Sequence, residues 1–79
     1  MLIEGINYEM LIASDVNTDA MIFECYRGQG KDRELILEVI RYDGLRKFVY
    51  VQHVENLPLA VVEHIVSRAR PELGPYFVQ

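Results

Sequence analysis

Apolar residues dominate positions 35 to 51, within the stretch RELILEVIRYDGLRKFVYVQH that runs from Arg33 to His53. The apolar run is broken by Asp43-Gly44. An Asp-Gly pair favours a tight turn because both central positions of a type I′ turn need positive φ. The pattern therefore predicts a β-hairpin whose two arms meet at Tyr42–Leu45.

Both faces of this predicted hairpin are apolar. One face would carry Leu35, Leu37, Val39, Phe48 and Tyr50, and the other Ile36, Ile40, Tyr42, Leu45, Val49 and Val51. An antiparallel sheet with one solvated face normally alternates apolar and polar residues. We therefore expect this hairpin to be covered on both sides.

The register of the hairpin stays open at this stage. A two-residue turn places Val39 opposite Phe48 and Leu37 opposite Tyr50. A three-residue loop with a bulge at Gly44 shifts the pairing by one residue and exchanges partners between the faces. The sequence therefore does not decide which face meets a helix.

Two further strands precede the hairpin. Residues 6–13 alternate with period two, which predicts a first strand, and the polar turn-formers at 14–19 end it. Residues 20–27 form the second predicted strand. The following Gly28-Gln29-Gly30 lacks the further glycines of a phosphate-binding loop and leads into another strand, so it predicts a hairpin connection.

The last predicted element is a helix over residues 57–70. Asn56 is placed as its N-cap, Pro58 fits its first turn, and Pro71 is expected to end it. Its apolar residues fill one continuous arc at 100° per residue, which is typical of a helix packed against a sheet. They are Pro58, Leu59, Val61, Val62, Ile65, Val66 and Ala69.

These elements predict an α+β fold: a four-stranded antiparallel β-meander followed by one C-terminal amphipathic helix packed on one sheet face, in the order ββββα. Sequential strands are expected to be neighbours in the sheet. At 79 residues, the chain has room for one small domain over 1–79, of which residues 72–79 form a C-terminal tail.

Composition and charge narrow the functional classes. The chain is 51% hydrophobic, which is globular rather than disordered, and carries a net charge of −4. Cys25 is the single cysteine, so an internal disulfide is excluded, and its strand position predicts a small buried residue. An unpaired thiol, and a start without the features of a signal peptide, favour the cytoplasm.

No motif assigns catalytic, cofactor-binding or metal-binding residues, and we expect no cofactor. His53 with Glu55, and His64 with Glu63, are the only histidine–carboxylate neighbours, and neither has a metal-ligand spacing. A small enzyme with a site built at a subunit interface stays an alternative, because such a cleft leaves no motif in the sequence.

Nucleic-acid binding is a further alternative. Sheet aromatics next to basic residues are typical of surfaces that stack single-stranded bases. The residues concerned are Tyr26, Tyr42, Phe48 and Tyr50 with Arg27, Arg41, Arg46 and Lys47. The sequence pI of about 5.0 opposes this interpretation, because neutralisation of phosphates dominates the affinity for nucleic acids.

The interpretation that we favour is a non-catalytic protein-interaction or accessory module that acts as a homodimer or with a partner protein. A helix of four turns is roughly 20 Å long and 10 Å wide, so it covers one side of a small sheet. The other side is then an interface. Its candidate residues are Ile36, Ile40, Tyr42, Leu45, Val49, Val51, Tyr76 and Phe77. The tail either closes the patch within one chain or pairs between chains, and both possibilities stay open.

Overall fold

The computed structural model describes residues 1–75, which form one antiparallel sheet with a C-terminal helix packed on it. The elements are β1 (Leu2–Ile3), β2 (Ile6–Asp15), β3 (Ala20–Arg27), a 3-10 turn (Gly30–Asp32), β4 (Glu34–Tyr42), β5 (Lys47–Gln52) and α1 (Leu59–Leu73). The predicted α+β class and the single C-terminal helix are confirmed.

The sheet has five strands in the order β1-β2-β3-β4-β5, rather than the four predicted. The additional strand, β1, is a two-residue segment in which Ile3 pairs with Ile6. The tight turn between them is Glu4-Gly5, with φ of 51° and 80°. Positive φ at both central positions is the type I′ requirement, so the tightest hairpin of the chain lies here.

The β4–β5 hairpin differs from both predicted registers. Tyr42 pairs with Lys47 and Val39 pairs with Tyr50, so the connection comprises residues 43–46. Its last residue, Arg46, takes the positive φ, at 52°. The predicted two-residue turn at Asp43-Gly44 is therefore wrong. The observed pairing of β4 with β5 is shifted from the predicted one by two residues, and a shift of two does not exchange the faces of the hairpin.

Two adjacent side chains of β4 do change face: Ile36 joins the face that the helix covers, and Leu35 pairs with Tyr26 on the opposite face. The pairing of β3 with β4 shifts between Cys25 and Tyr26, where a bulge adds a residue to β4. As a result Ile36 and Leu37, although adjacent, are both completely buried. Ile36 belongs to the core instead of sharing a face with Ile40, and the predicted alternation is wrong at this point.

Helix α1 begins after Pro58, with no side-chain cap, and Asn56 lies outside it in a left-handed conformation at φ 57°. The predicted N-cap is therefore wrong. Pro71 lies inside the last turn rather than ending the helix. The end comes at Gly74, whose φ of 74° turns the chain and whose N–H donates to the carbonyl of Arg70 at 2.8 Å.

The core lies between α1 and the face of the sheet that it covers. Its buried residues are Tyr8, Phe23, Cys25, Ile36, Leu37, Val39, Val61, Ile65, Ala69 and Leu73. Every turn of the helix contributes to this cluster, as its amphipathic pattern predicts. Cys25 is completely buried, as expected for a small apolar residue.

A buried arginine fastens the end of the helix to the sheet. The Arg41 guanidinium donates to the carbonyls of Leu73 and, at 2.9 Å, Pro75. Its Nε lies 2.8 Å from a carboxylate oxygen of Asp43. The Asp43 N–H donates to the carbonyl of Asp19 at 3.1 Å, which links the loop after β4 to the loop before β3. Carbonyls at a helix C-terminus attract cations, so Arg41 acts here as a cap.

Candidate interaction surface

The sheet face opposite α1, called here the open face, is crossed by one wholly apolar row of side chains. Ala13 pairs with Ile22, Ile22 with Ile40, and Ile40 with Val49. Directly paired residues of an antiparallel sheet project to the same side. These four residues, called here the apolar row, therefore span all the long strands.

The rows on either side of the apolar row are mixed. On one side Leu11 and Val51 flank the pair Glu24–Glu38, and on the other Ala20 and Tyr42 lie between Asp15 and Lys47. Leu11 is 41% exposed, whereas the central Ile40 is only 8% exposed. Among residues 1–75, no element of secondary structure packs across this face.

Glu24 and Glu38 stand directly opposite each other, and like charges in that position repel. Each has its own partner: the Tyr26 hydroxyl donates to Glu24 at 3.2 Å, and a His53 ring nitrogen lies 2.7 Å from Glu38. Burial and the adjacent Glu24 carboxylate raise the pKa of Tyr26. The two acids are therefore held apart by separate hydrogen bonds.

A second ion pair lies at the same end of the open face. Arg33 bonds to Glu9 at 2.9 Å, and its guanidinium lies 4.2 Å from the centre of the Tyr26 ring. A guanidinium stacked on an aromatic ring and paired with a carboxylate is fixed in place from two directions. At this end of the open face, the polar side chains bond to one another. The apolar row lies towards the opposite end.

The structure gathers half of the predicted interface residues onto one surface. Ile40, Tyr42, Val49 and Val51 lie together on the open face. Ile36 is completely buried in the core and so has no surface for a partner. Leu45 is 66% exposed but lies in the loop after β4. The predicted candidates Tyr76 and Phe77 lie outside the described residues.

Sequence reasoning missed the part of the surface that β2 and β3 contribute. Leu11, Ala13 and Ile22 extend the patch across the sheet, and they were assigned to strands but not to an interface. The signal was available: Ile22 alternates with the core residue Phe23, and Leu11 with Met10, which packs against the core, as Ile40 alternates with Val39.

The histidines and the cysteine do not form a reactive centre among the described residues. His53 pairs with Glu38 rather than with Glu55, and residues 1–75 contain no group of three or more metal-binding side chains. The ring Nε2 of His64 is buried, with no hydrogen-bond partner among these residues. Burial raises the pKa of the Cys25 thiol to about 12, so the nucleophilic thiolate is absent near neutral pH.

The aromatic and basic residues that favoured nucleic-acid binding are dispersed. Tyr26 and Tyr42 lie on the open face, whereas Phe48 and Tyr50 lie on the face that α1 partly covers. Two of the bases are committed elsewhere, since Arg27 bonds to Glu34 at 2.6 Å and Arg41 is buried. A stacking platform needs its aromatics side by side and its cations exposed. The described residues therefore do not form such a platform.

Comparison with known proteins returns no match: no family model, no curated protein and no solved structure is similar to this chain. Among residues 1–75, no helix has the length and apolar character needed to cross a membrane. The geometry of the open face is therefore the basis for a functional proposal.

Proposed function

We propose that this chain is a non-catalytic protein-interaction module that forms a homodimer through the open face of its sheet. The observation that carries the proposal is the apolar row, which crosses four paired strands with no described element over it. The unpaired, buried Cys25 supports a cytoplasmic location, because a thiol without a disulfide partner suits a reducing compartment.

The size of the patch supports weak, reversible association. Four strands spaced about 4.8 Å apart make the apolar row roughly 14 Å long. With the flanking Leu11, Val51 and Tyr42, each copy offers on the order of 300 Å² of apolar surface, and larger patches are rare on monomeric proteins. Two copies would bury about 600 Å², which favours association by about 15 kcal/mol before the entropic and desolvation costs of 4–15 kcal/mol. The remaining binding free energy lies between about 0 and 11 kcal/mol, a range that includes the roughly 8 kcal/mol of a micromolar complex.

Charge gives the association an orientation. Glu24 and Glu38 lie at one end of the open face beside Glu9, which Arg33 already pairs, and at the other end Lys47 lies on β5 and Asp15 on β2. In the proposed dimer, a twofold axis brings opposite ends of the two open faces together. Lys47 of each copy then lies near the acids of the other copy. Complementary charge of this kind fixes orientation and partner choice more than affinity.

Sedimentation velocity between 1 and 100 μM tests the proposal. The mass should rise with concentration from that of one chain towards that of two. Ile22→Lys places a charge in the middle of the apolar row and should weaken dimerisation at least tenfold, which moves the rise in mass to at least tenfold higher concentration.

The matched control is Leu59→Lys. Leu59 is 71% exposed on the first turn of α1, away from the open face, so its replacement should leave the dissociation constant unchanged. A wild-type mass of one chain at 100 μM contradicts the proposal. Equal weakening by both variants also contradicts it, because the effect would then not belong to the open face.

A further inference from the structure

The outer edge of β2 is a second surface with the properties of a binding site. Along this edge Leu11 is 41% exposed and Ile12 is 47% exposed, and they project to opposite faces of the sheet. β1 pairs with β2 only at Ile6 and Asn7, and Tyr8 bonds to Met1. From Met10 to Ser14 the outer edge meets no other strand of residues 1–75.

The backbone hydrogen bonds at one end of β2 show which groups face this edge. The Asn7 carbonyl accepts from the Gly28 N–H at 2.9 Å, on the β3 side, and the Tyr8 N–H donates to Met1 at 2.7 Å, on the outer side. Peptide groups alternate sides along a strand. Met10, Ile12 and Ser14 therefore direct their N–H and C=O groups outward, like Tyr8.

Natural edge strands are normally protected against pairing by a lysine, a proline, a bulge or an inward-pointing charge. The segment Met10-Leu11-Ile12-Ala13-Ser14 contains no charged residue, proline or glycine. Its register against β3 is unbroken from Tyr8 to Asp15. The segment therefore presents a regular, apolar pairing edge.

We infer that the outer edge of β2 pairs with β2 of a second copy of this chain, antiparallel and about a twofold axis at Ile12. This contact is separate from the open-face contact proposed above, since Ile12 lies on the other side of the sheet. In this register Ile12 faces Ile12 and Met10 faces Ser14, and all their outward groups are paired in about six backbone hydrogen bonds. No other symmetric register pairs as many of these groups.

The side chains suit the same register. Leu11 of each copy faces Ala13 of the other on the open face, and the two Ile12 side chains meet on the opposite face, so both sides of the junction are apolar. At the ends of the pairing Asp15 comes opposite Glu9, whose charge Arg33 already compensates at 2.9 Å. The hydrogen bonds between Met1 and β2 are made by Tyr8, and no described residue pairs with the outer edge from Met10 onward.

The surface area that the edge pairing would bury indicates the protein concentration at which it should form. Five paired residues bury well under about 1,200 Å² in total, which is the size class of weak, transient complexes. We expect a dissociation constant in the high micromolar to millimolar range, above that of the open-face contact. The second copy is preferred over an unrelated strand because a twofold axis lets one edge satisfy itself.

Residue-resolved amide hydrogen exchange tests the pairing, in the Ile22→Lys chain so that the open-face contact is weakened. Between 50 μM and 2 mM, exchange of the outward amides of Met10, Ile12 and Ser14 should slow at least twofold. The amides of Leu11 and Ala13 point to β3 and should show no change. In a mixture of isotope-labelled and unlabelled chains, an intermolecular NOE should join Leu11 Hα to Ala13 Hα, whose Cα atoms lie about 4.5 Å apart across the junction.

A pair of variants confirms the location. Ile12→Lys brings two ammonium groups together at the axis and should remove both the slowed exchange and the NOE, whereas Leu59→Lys should retain them. Unchanged exchange of the outward amides at 2 mM overturns the edge pairing, whatever the outcome for the open face. A monomeric wild type at 100 μM that still shows the NOE at 2 mM overturns the open-face dimer and keeps the edge pairing.

Discussion

The two faces of the sheet are built from alternate residues of the same strands, yet they differ in nearly every property. On the covered face Phe23, Cys25 and Leu37 are at most 2% exposed and pack against the helix. On the open face the corresponding positions are Ile22, Glu24 and Glu38, two of which are ionisable. The comparison teaches that β-propensity alone does not define a core, since both faces carry β-branched residues and most of the core cluster lies on the face with the helix.

The faces also hold their charges differently. Among the described residues, the covered face holds a buried ion pair, Arg41 with Asp43, whose side chains are at most 10% exposed, and an exposed one at its end, Arg27 with Glu34. On the open face, the ion pair of Arg33 with Glu9 and the hydrogen bond of His53 with Glu38 both reach solvent. Exposed pairs contribute little to stability, whereas breaking a buried pair leaves an uncompensated charge. Mutations on the covered face should therefore lower the free energy of unfolding more than mutations on the open face.

The largest expected effect separates Phe23 from its neighbour Ile22. Phe23→Ala removes a ring from the core and should lower the free energy of unfolding by about 4 kcal/mol, whereas Ile22→Ala should lower it by about 1 kcal/mol. Urea denaturation at 0.1 μM, well below the micromolar dissociation constant proposed for the open face, measures both. A domain of this size holds roughly 4–12 kcal/mol in total.

Phe23→Leu provides a milder test if Phe23→Ala prevents folding. Phe23→Leu should lower the free energy of unfolding by about 1–2 kcal/mol. Ile22→Val should lower it by less than about 1 kcal/mol. Equal costs at positions 22 and 23 would show that the two faces are buried alike, which contradicts the comparison.

The next effect concerns the buried ion pair. Arg41→Ala removes the partner of Asp43 and uncaps the carbonyls of Leu73 and Pro75, so it should cost about 3 kcal/mol. Lys47→Ala, at an exposed position of the neighbouring strand, should change stability by no more than about 0.5 kcal/mol. The same urea titrations measure both, and a cost for Arg41→Ala below 1 kcal/mol would mean that the pair is not buried in solution.

The smallest effect is the pH dependence contributed by Cys25. Its pKa is raised from 9.0 to about 12 by burial, so above pH 9 the thiol ionises in the unfolded chain but stays neutral in the folded one. Ionisation therefore favours unfolding as pH rises. The wild type should lose about 1 kcal/mol relative to Cys25→Ala between pH 8 and pH 10, since each pH unit of differential ionisation is worth about 1.4 kcal/mol. A constant difference between the two curves would show that the thiol reaches solvent.

Most of the fold could be predicted because it depends on periodicity. The strand over residues 20–27 has its predicted bounds, and the helix was placed within three residues of its observed ends. The β4–β5 loop could not be predicted from its Asp-Gly pair, because Asp43 is engaged by Arg41 and Asp19. Those partners lie on other segments, so a local turn signal was overridden by tertiary contacts.

The surface was harder to predict than the fold. The sequence placed Ile40 and Val49 on one apolar face of the hairpin. The burial of Ile36, in contrast, depends on a bulge whose position no local motif marks. The edge of β2 could not be recognised either, since β1 is two residues long and its extent determines how much of β2 stays uncovered. The sequence therefore predicted apolar residues on both faces of the hairpin. The strand pairing is needed to show which residues lie together on the open face.

Arg41 has a consequence for how the molecule opens. Its guanidinium joins the last turn of α1 to Asp43, and Asp43 joins the loop after β4 to Asp19. Three segments far apart in the chain thus meet at one side chain, and none can detach without breaking bonds that hold the others. We expect them to fluctuate as one cooperative unit, so that the amides of Gly74 and Asp43 exchange with a common opening free energy while the opposite end of the sheet remains closed.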